Sequence, residues 1–192
     1  MSPDFEGFAR ASIKIPQSKS EAEAAEFAYR ILHRGAHGNR AQFDDPADDW
    51  VPIWVLLSKE EAMMIGADEG FANDPVAKEV VSAAIGQMAR QFEAIAIGYL
   101  SSVWMVQISD PKRQVEVQRQ MLEQNGSTEG IPERVEKLLI MIYTAGHVVM
   151  HTAPIERHPD KPPTLGEFDT VEADDVSGRV TEPLQEALQR IG

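Results

Sequence analysis

The 192-residue chain contains no cysteine. Disulfides, thiolate zinc sites and cysteine nucleophiles are therefore excluded. The absence also fits a reducing compartment. No apolar run approaches the roughly 18 residues that a membrane-spanning helix needs, so no membrane partner is expected. The first residues, Met1-Ser2-Pro3-Asp4-Phe5-Glu6, lack the basic and apolar regions of a secretory signal. The expected location is the cytoplasm. Positive charge is also scarce, with 18 basic side chains against 31 acidic ones and a formal net charge of -13. The excess is even along the chain: residues 1–96 hold 16 acids and 9 bases, and residues 97–192 hold 15 and 9. Neither half is a basic module, so direct nucleic-acid binding is not expected. The charge suits solubility, cation binding or docking on a basic surface.

What is present is an ordinary globular share of hydrophobic residues, 43%, in a length that suits one domain. Residues 1–17 show no period and read as an N-terminal arm. Ser20 and Glu23 stand at capping-box spacing. Ala24, Phe27, Ala28, Ile31 and Leu32 then follow one helical stripe, which Gly35 and Gly38 are expected to stop. Residues 39–50 form a polar loop, and Val51–Leu57 reads as a strand. Ser58-Lys59-Glu60-Glu61 is a second capping-box pattern and predicts a short helix ending near Gly66. Asp74-Pro75 opens what the spacing makes the longest helix, with Val76, Val80, Ala84, Met88 and Phe92 as its stripe, widened by Val81 and Ile85. Ala94–Val106 reads as a central strand.

Residues 107–134 are polar and read as an insertion, in which Asp110-Pro111 could start a helix ending at Asn125-Gly126. Val135–Tyr143, a turn at Ala145-Gly146, and His147–Ile155 form a hairpin. Leu165–Val171 suggests a last short strand, and a terminal helix follows with Leu184, Leu188 and Ile191 on one face. The sum is an α+β fold: a mostly antiparallel sheet of about four to five strands covered by two or three helices. One domain is expected over 18–171, with an acidic segment and a C-terminal helix over 172–192.

Three short pieces carry a resemblance: Trp104-Met105, then Pro132-Glu133-Arg134-Val135-Glu136, then Leu165-Gly166-Glu167-Phe168. Spread over about residues 50–170, they resemble the order of segments in a group of small bacterial and phage α+β proteins without an established activity. Where that group often has an acid two places before the tryptophan, this chain has Ser102. The resemblance implies a bacterial or phage origin and the α+β order, and it transfers no functional residue.

Four constellations bear on chemistry. His147 and His151 point to one side of a strand, or share one face of a helix, and could contribute to zinc binding. The segment lacks the glutamate of HExxH, and a third ligand would have to come from Asp or Glu near His158. The plainer reading, outward polar positions on a hairpin strand, is preferred. Asp44, Asp45, Asp48 and Asp49 place four carboxylates in six residues. They lack EF-hand spacing and read as a solvated loop or a dock for a basic partner, with Trp50 as a possible anchor or as part of the next strand. Glu167, Asp169, Glu172, Asp174 and Asp175 form a second acidic stretch without an intervening base. It reads as a solvated tail or as an imitation of phosphate charge. Ser101-Ser102 lacks a nucleophile elbow, and no phosphate-binding loop, dinucleotide fingerprint or kinase set occurs.

No cofactor, metal or catalytic residue is therefore assigned. The expectation is a non-enzymatic acidic protein that docks on a basic protein surface or complex through the two acidic segments and Trp50, such as a phage or bacterial inhibitor of a nucleic-acid-binding complex. Two alternatives stand beside it. One is a structural subunit of a phage or bacterial assembly, self-associating through the edge of the 135–155 hairpin. The other is a metal-dependent hydrolase using His147 and His151.

Overall fold

The first helix, α1, spans Glu21–Arg40 in a computed structural model that describes residues 9–14, 20–66, 75–124, 127–172 and 181–189. Ser20 caps it as the spacing predicts: its backbone is extended, and its hydroxyl accepts the Glu23 N–H at 3.2 Å. Ala24, Ala28, Leu32 and Ala36 are buried at every fourth position. Three of these four are alanines, so the helix lies close to what it covers. Neither Gly35 nor Gly38 stops α1, contrary to expectation. Each costs a helix about 1 kcal/mol relative to alanine. Tertiary packing outweighs that cost, because Ala36 is fully buried and its carbonyl is bonded from outside the helix.

Among the described residues the sheet is antiparallel throughout and has eight strands rather than four to five. In chain order these are β1 (Ala9–Lys14), β2 (Ile53–Leu57), β3 (Glu61–Gly66), β4 (Ala96–Val106), β5 (Arg134–Tyr143), β6 (Val148–Glu156), β7 (Thr164–Leu165) and β8 (Asp169–Glu172). Their spatial order is β1-β3-β2-β4-β5-β6, and β7 and β8 both attach to the outer side of β6. β4 is central, and Ala145-Gly146 turns the β5–β6 hairpin, with the Thr144 N–H donating to the His147 carbonyl at 2.9 Å.

Three differences from the sequence reading account for the extra strands. The segment read as a short helix after Ser58 is β3. The Ser58 hydroxyl does accept the N–H groups of Glu60 and Glu61, at 3.4 and 3.1 Å. However, the Ser58 N–H also donates to the Glu61 carbonyl, closing a tight hairpin turn. Caps and turns share this side-chain-to-backbone bond. The residues beyond it then decide: Ala62 and Ile65 join opposite faces of the sheet, as a strand requires. The second difference is β1, which lies within the segment read as an arm and pairs with β3 from Ala9↔Gly66 to Lys14↔Glu61. Residues 11–14 are exposed on this edge, so no alternation marks it. The third is that the last strand splits, with β7 and β8 separated by residues 166–168.

Helices cover both faces. α1 packs on one, over Val55, Leu57, Leu100, Leu138, Ile140 and Ile142. Gly98 of β4 permits its approach, since a Cβ there would stand 2.7 Å from Leu32 Cδ1. The other face carries α2 (Pro75–Gln91) and α4 (Thr181–Gln189), which bury Ile85, Met88, Ala89, Leu184, Ala187 and Leu188 against Trp54, Leu56, Ile97, Tyr99 and Met141. α1, not α2, is the longest helix, because it runs through its glycines. Within α2 the buried stripe is Ile85, Met88 and Ala89, flanked by Val81 and Phe92, whereas Val80 is exposed. Ile191 lies outside the described residues. A fourth helix, α3 (Pro111–Glu123), occupies the 107–134 insertion. Asp110 caps it by accepting the Lys112 N–H at 3.0 Å, and an Arg113–Glu133 ion pair of 2.6 Å ties it to the start of β5.

Candidate functional site

The loop that leads from α1 into β2 holds the first acidic cluster, and its carboxylates are largely used within the protein. Asp48 Oδ2 accepts the backbone N–H groups of Asp44 and Asp45, each at 2.8 Å. Asp45 Oδ1 accepts that of Ala47 at 2.7 Å. Asp49 accepts the Trp50 N–H at 2.8 Å on one oxygen and the Ser102 hydroxyl of β4 at 3.0 Å on the other. Arg157, just beyond β6, bridges this loop to the sheet. Its guanidinium makes a bidentate pair with Glu136 of β5 at 2.6 and 2.9 Å, reaches Asp49 at 3.0 Å, and donates to the Asp48 carbonyl at 2.7 Å. The Glu136 bonds first, and then Asp49, hold the Arg157 pKa above its ordinary value. Asp44 and Asp45 keep exposed positions.

Trp50 is not beside these acids at the surface. It is 1% exposed, its indole N–H donates to the Ala36 carbonyl at 2.9 Å, and Phe43 meets its ring edge-on at 4.8 Å between centroids. It anchors the loop to α1. The exposed tryptophan is Trp104 on β4, at 48%, with the Arg134 guanidinium 4.4 Å above its ring.

The second acidic stretch begins between β7 and β8. Glu167 and Asp169 are exposed, while Phe168 packs with the α1-side core. Its ring centroid lies 5.1 Å from that of His33 and 6.2 Å from that of His37. Glu172 closes β8 opposite Val149. Asp174 and Asp175 lie outside the described residues. Both acidic segments are thus fastened to the same turn of α1, the first through Ala36 and the second through His33 and His37.

His147 and His151 do not converge. His147 is exposed at the hairpin turn, and His151 lies four residues on in an extended strand, roughly 13 Å further along. His158 bonds instead to Thr164, at 3.1 Å. The imidazoles that do gather are His33, His37 and His151. His33 and His37 have ring centroids 4.6 Å apart. Tyr29 touches both His33, at 5.4 Å, and His151, at 4.0 Å, and the Thr170 hydroxyl sits 2.9 Å from His151 Nδ1. Burial, followed by the charge of His37, lowers the pKa of His33; burial, followed by the charge of His33, lowers that of His151. A cleft of about 500 Å³ opens beside them, lined by Tyr29, His33, His37, Leu165, Gly166, Glu167 and Phe168. Among the described residues, no group of three His, Asp or Glu side chains could hold a metal ion. The H-x-x-x-H signal at 33–37 was present in the sequence, but it has meaning only if the helix continues through Gly35. Comparison with known proteins adds no relative: no family model, curated protein or solved structure matches the chain.

Proposed function

We propose that this chain is a non-enzymatic acidic binding protein that docks on a basic surface of a macromolecular partner. The observation that carries this reading is the attachment of both acidic segments to one turn of α1, so that Asp44, Asp45, Glu167 and Asp169 present exposed carboxylates around a single helix. The net charge of -13 adds long-range attraction for a basic partner. The test is a pull-down from a lysate at low and at high salt, with wild type and a variant carrying Asp44→Asn, Asp45→Asn, Glu167→Gln and Asp169→Asn. A basic protein held by wild type at low salt, released by salt and not held by the variant, is the expected result. Equal retention by the variant would remove these carboxylates from the surface.

A second reading is self-association into a larger assembly. It is favoured by the edge strand β1, whose residues 11–14 are exposed. The hairpin is not available for this, because β7 and β8 cover the outer side of β6. Concentration-dependent mass in solution that disappears with Ile13→Lys would support pairing through β1.

A further inference from the structure

We propose that residues 167–172 form an acid-released latch: they close over imidazoles of α1 and β6, and they leave α1 when the rings of His33 and His151 take up protons. Side-chain contacts hold the segment on its α1 side. The Phe168 ring lies 5.1 Å from His33 and 6.2 Å from His37 between centroids, and the Thr170 hydroxyl sits 2.9 Å from His151 Nδ1. Tyr29 joins the two half-buried imidazoles, touching His33 at 5.4 Å and His151 at 4.0 Å. The Gly166 N–H, which donates to the Pro154 carbonyl at 2.9 Å, fixes the start of the segment. Beyond it, β8 is tied to the sheet through β6 along four residues. Short elements at a sheet edge open locally at less cost than core strands. The other titratable groups facing the two rings are Tyr29 and His37 of α1 and Glu167, the one carboxylate that lines the cleft. Among the described residues, none of the three imidazoles has an ion pair. A proton on His33 or His151 is therefore shielded from water in the closed state and set beside another imidazole. Burial first, and then the neighbouring ring, hold both below the ordinary histidine value. With the segment lifted, water solvates both rings. The open state then binds more protons, so acid favours it. The segment carries Glu167 and Asp169, so any effect of the latch on docking rests on the function proposed above, whereas the opening itself does not.

The experiment is amide hydrogen exchange on the full chain, read as protection relative to the intrinsic rate at each pH. Between about pH 7.5 and about pH 5.5, across the range where imidazoles titrate, protection in β8 should fall severalfold while the amides of β4 and β5 keep theirs. The double variant His33→Gln, His151→Gln should lose most of that pH dependence. Phe168→Ala should open β8 already at the higher pH. A second measurement needs no variant: in wild type, the opening of β8 should follow the titration curves of His33 and His151, read from their imidazole proton resonances. Protection in β8 that is indifferent to pH, a loss shared equally by β4 and β5, or an undiminished pH dependence in the double variant would overturn the latch. No basic partner enters either measurement, so failure of the docking function leaves both results readable.

Discussion

The indole N–H of Trp50 donates to the main-chain carbonyl of Ala36 at 2.9 Å. This bond holds the acidic loop against the last turns of α1 and fixes the position of Gly35 and His37 on either side of Ala36. Trp50→Phe removes this bond, which the carbonyl accepts in addition to its helical bond from Arg40, and should cost about 0.5–1.5 kcal/mol. Urea unfolding followed by circular dichroism should show that loss. A stability equal to wild type would mean that the loop is held by packing alone.

Gly98→Ala is expected to destabilise the chain although alanine suits a strand at least as well as glycine. The added Cβ would stand 2.7 Å from Leu32 Cδ1 and 3.4 Å from Ala28 Cβ, in a fully packed contact between α1 and β4. Overpacking of this kind costs about 1–3 kcal/mol. In a double-mutant cycle with Leu32→Ala the two changes should be less than additive, because truncating Leu32 makes room for the new methyl. Additive losses would place the strain elsewhere.

Arg157 holds Glu136, whose side chain is only 8% exposed, together with Asp49 and the Asp48 carbonyl. Arg157→Met strands the Glu136 carboxylate and should cost about 1–3 kcal/mol. Glu136→Gln in the same background should recover part of it. Hydrogen exchange at the Asp44 and Asp45 amides reports the loop directly and should accelerate in Arg157→Met.

Stability should fall in mild acid with a contribution from His151. Its pKa in the folded chain lies below the ordinary 6.5, because burial and the neighbouring His33 disfavour the charged ring. The folded state therefore binds fewer protons than the unfolded one as pH drops below 6.5. The contribution is complete above that value and is lost as pH falls toward the folded pKa. Unfolding midpoints measured in chelator at about pH 7.5 and about pH 5.5 should differ less in His151→Gln than in wild type. An identical pH dependence would assign the effect to other groups.

Features with a local cause were legible in the sequence. Ser20 and Asp110 cap helices because each cap is a bond within three residues. Ala145-Gly146 turns a hairpin for a similar reason. Features decided at a distance were not legible. α1 passes Gly35 because Trp50 and the sheet hold Ala36, and the Ser58 pattern yields β3 because Ala62 and Ile65 find opposite faces to bury. The acidic segments were identified as segments, but Arg157, the internal partner of the first, follows from topology alone. The pair His33 and His37 was hidden by the expected helix end between them.

The strand order also sets a ruler. β1 lies at one edge of the sheet and β8 at the other, with β3, β2, β4, β5 and β6 between them. Six inter-strand steps of about 4.8 Å separate them, roughly 29 Å along the hydrogen-bonding direction. Since the chain has no cysteine, spin labels introduced at Ile13 and Thr170 would be its only thiol-linked probes. One dipolar distance would then report the width of the whole sheet, and with it any rearrangement that inserts, removes or reorders a strand.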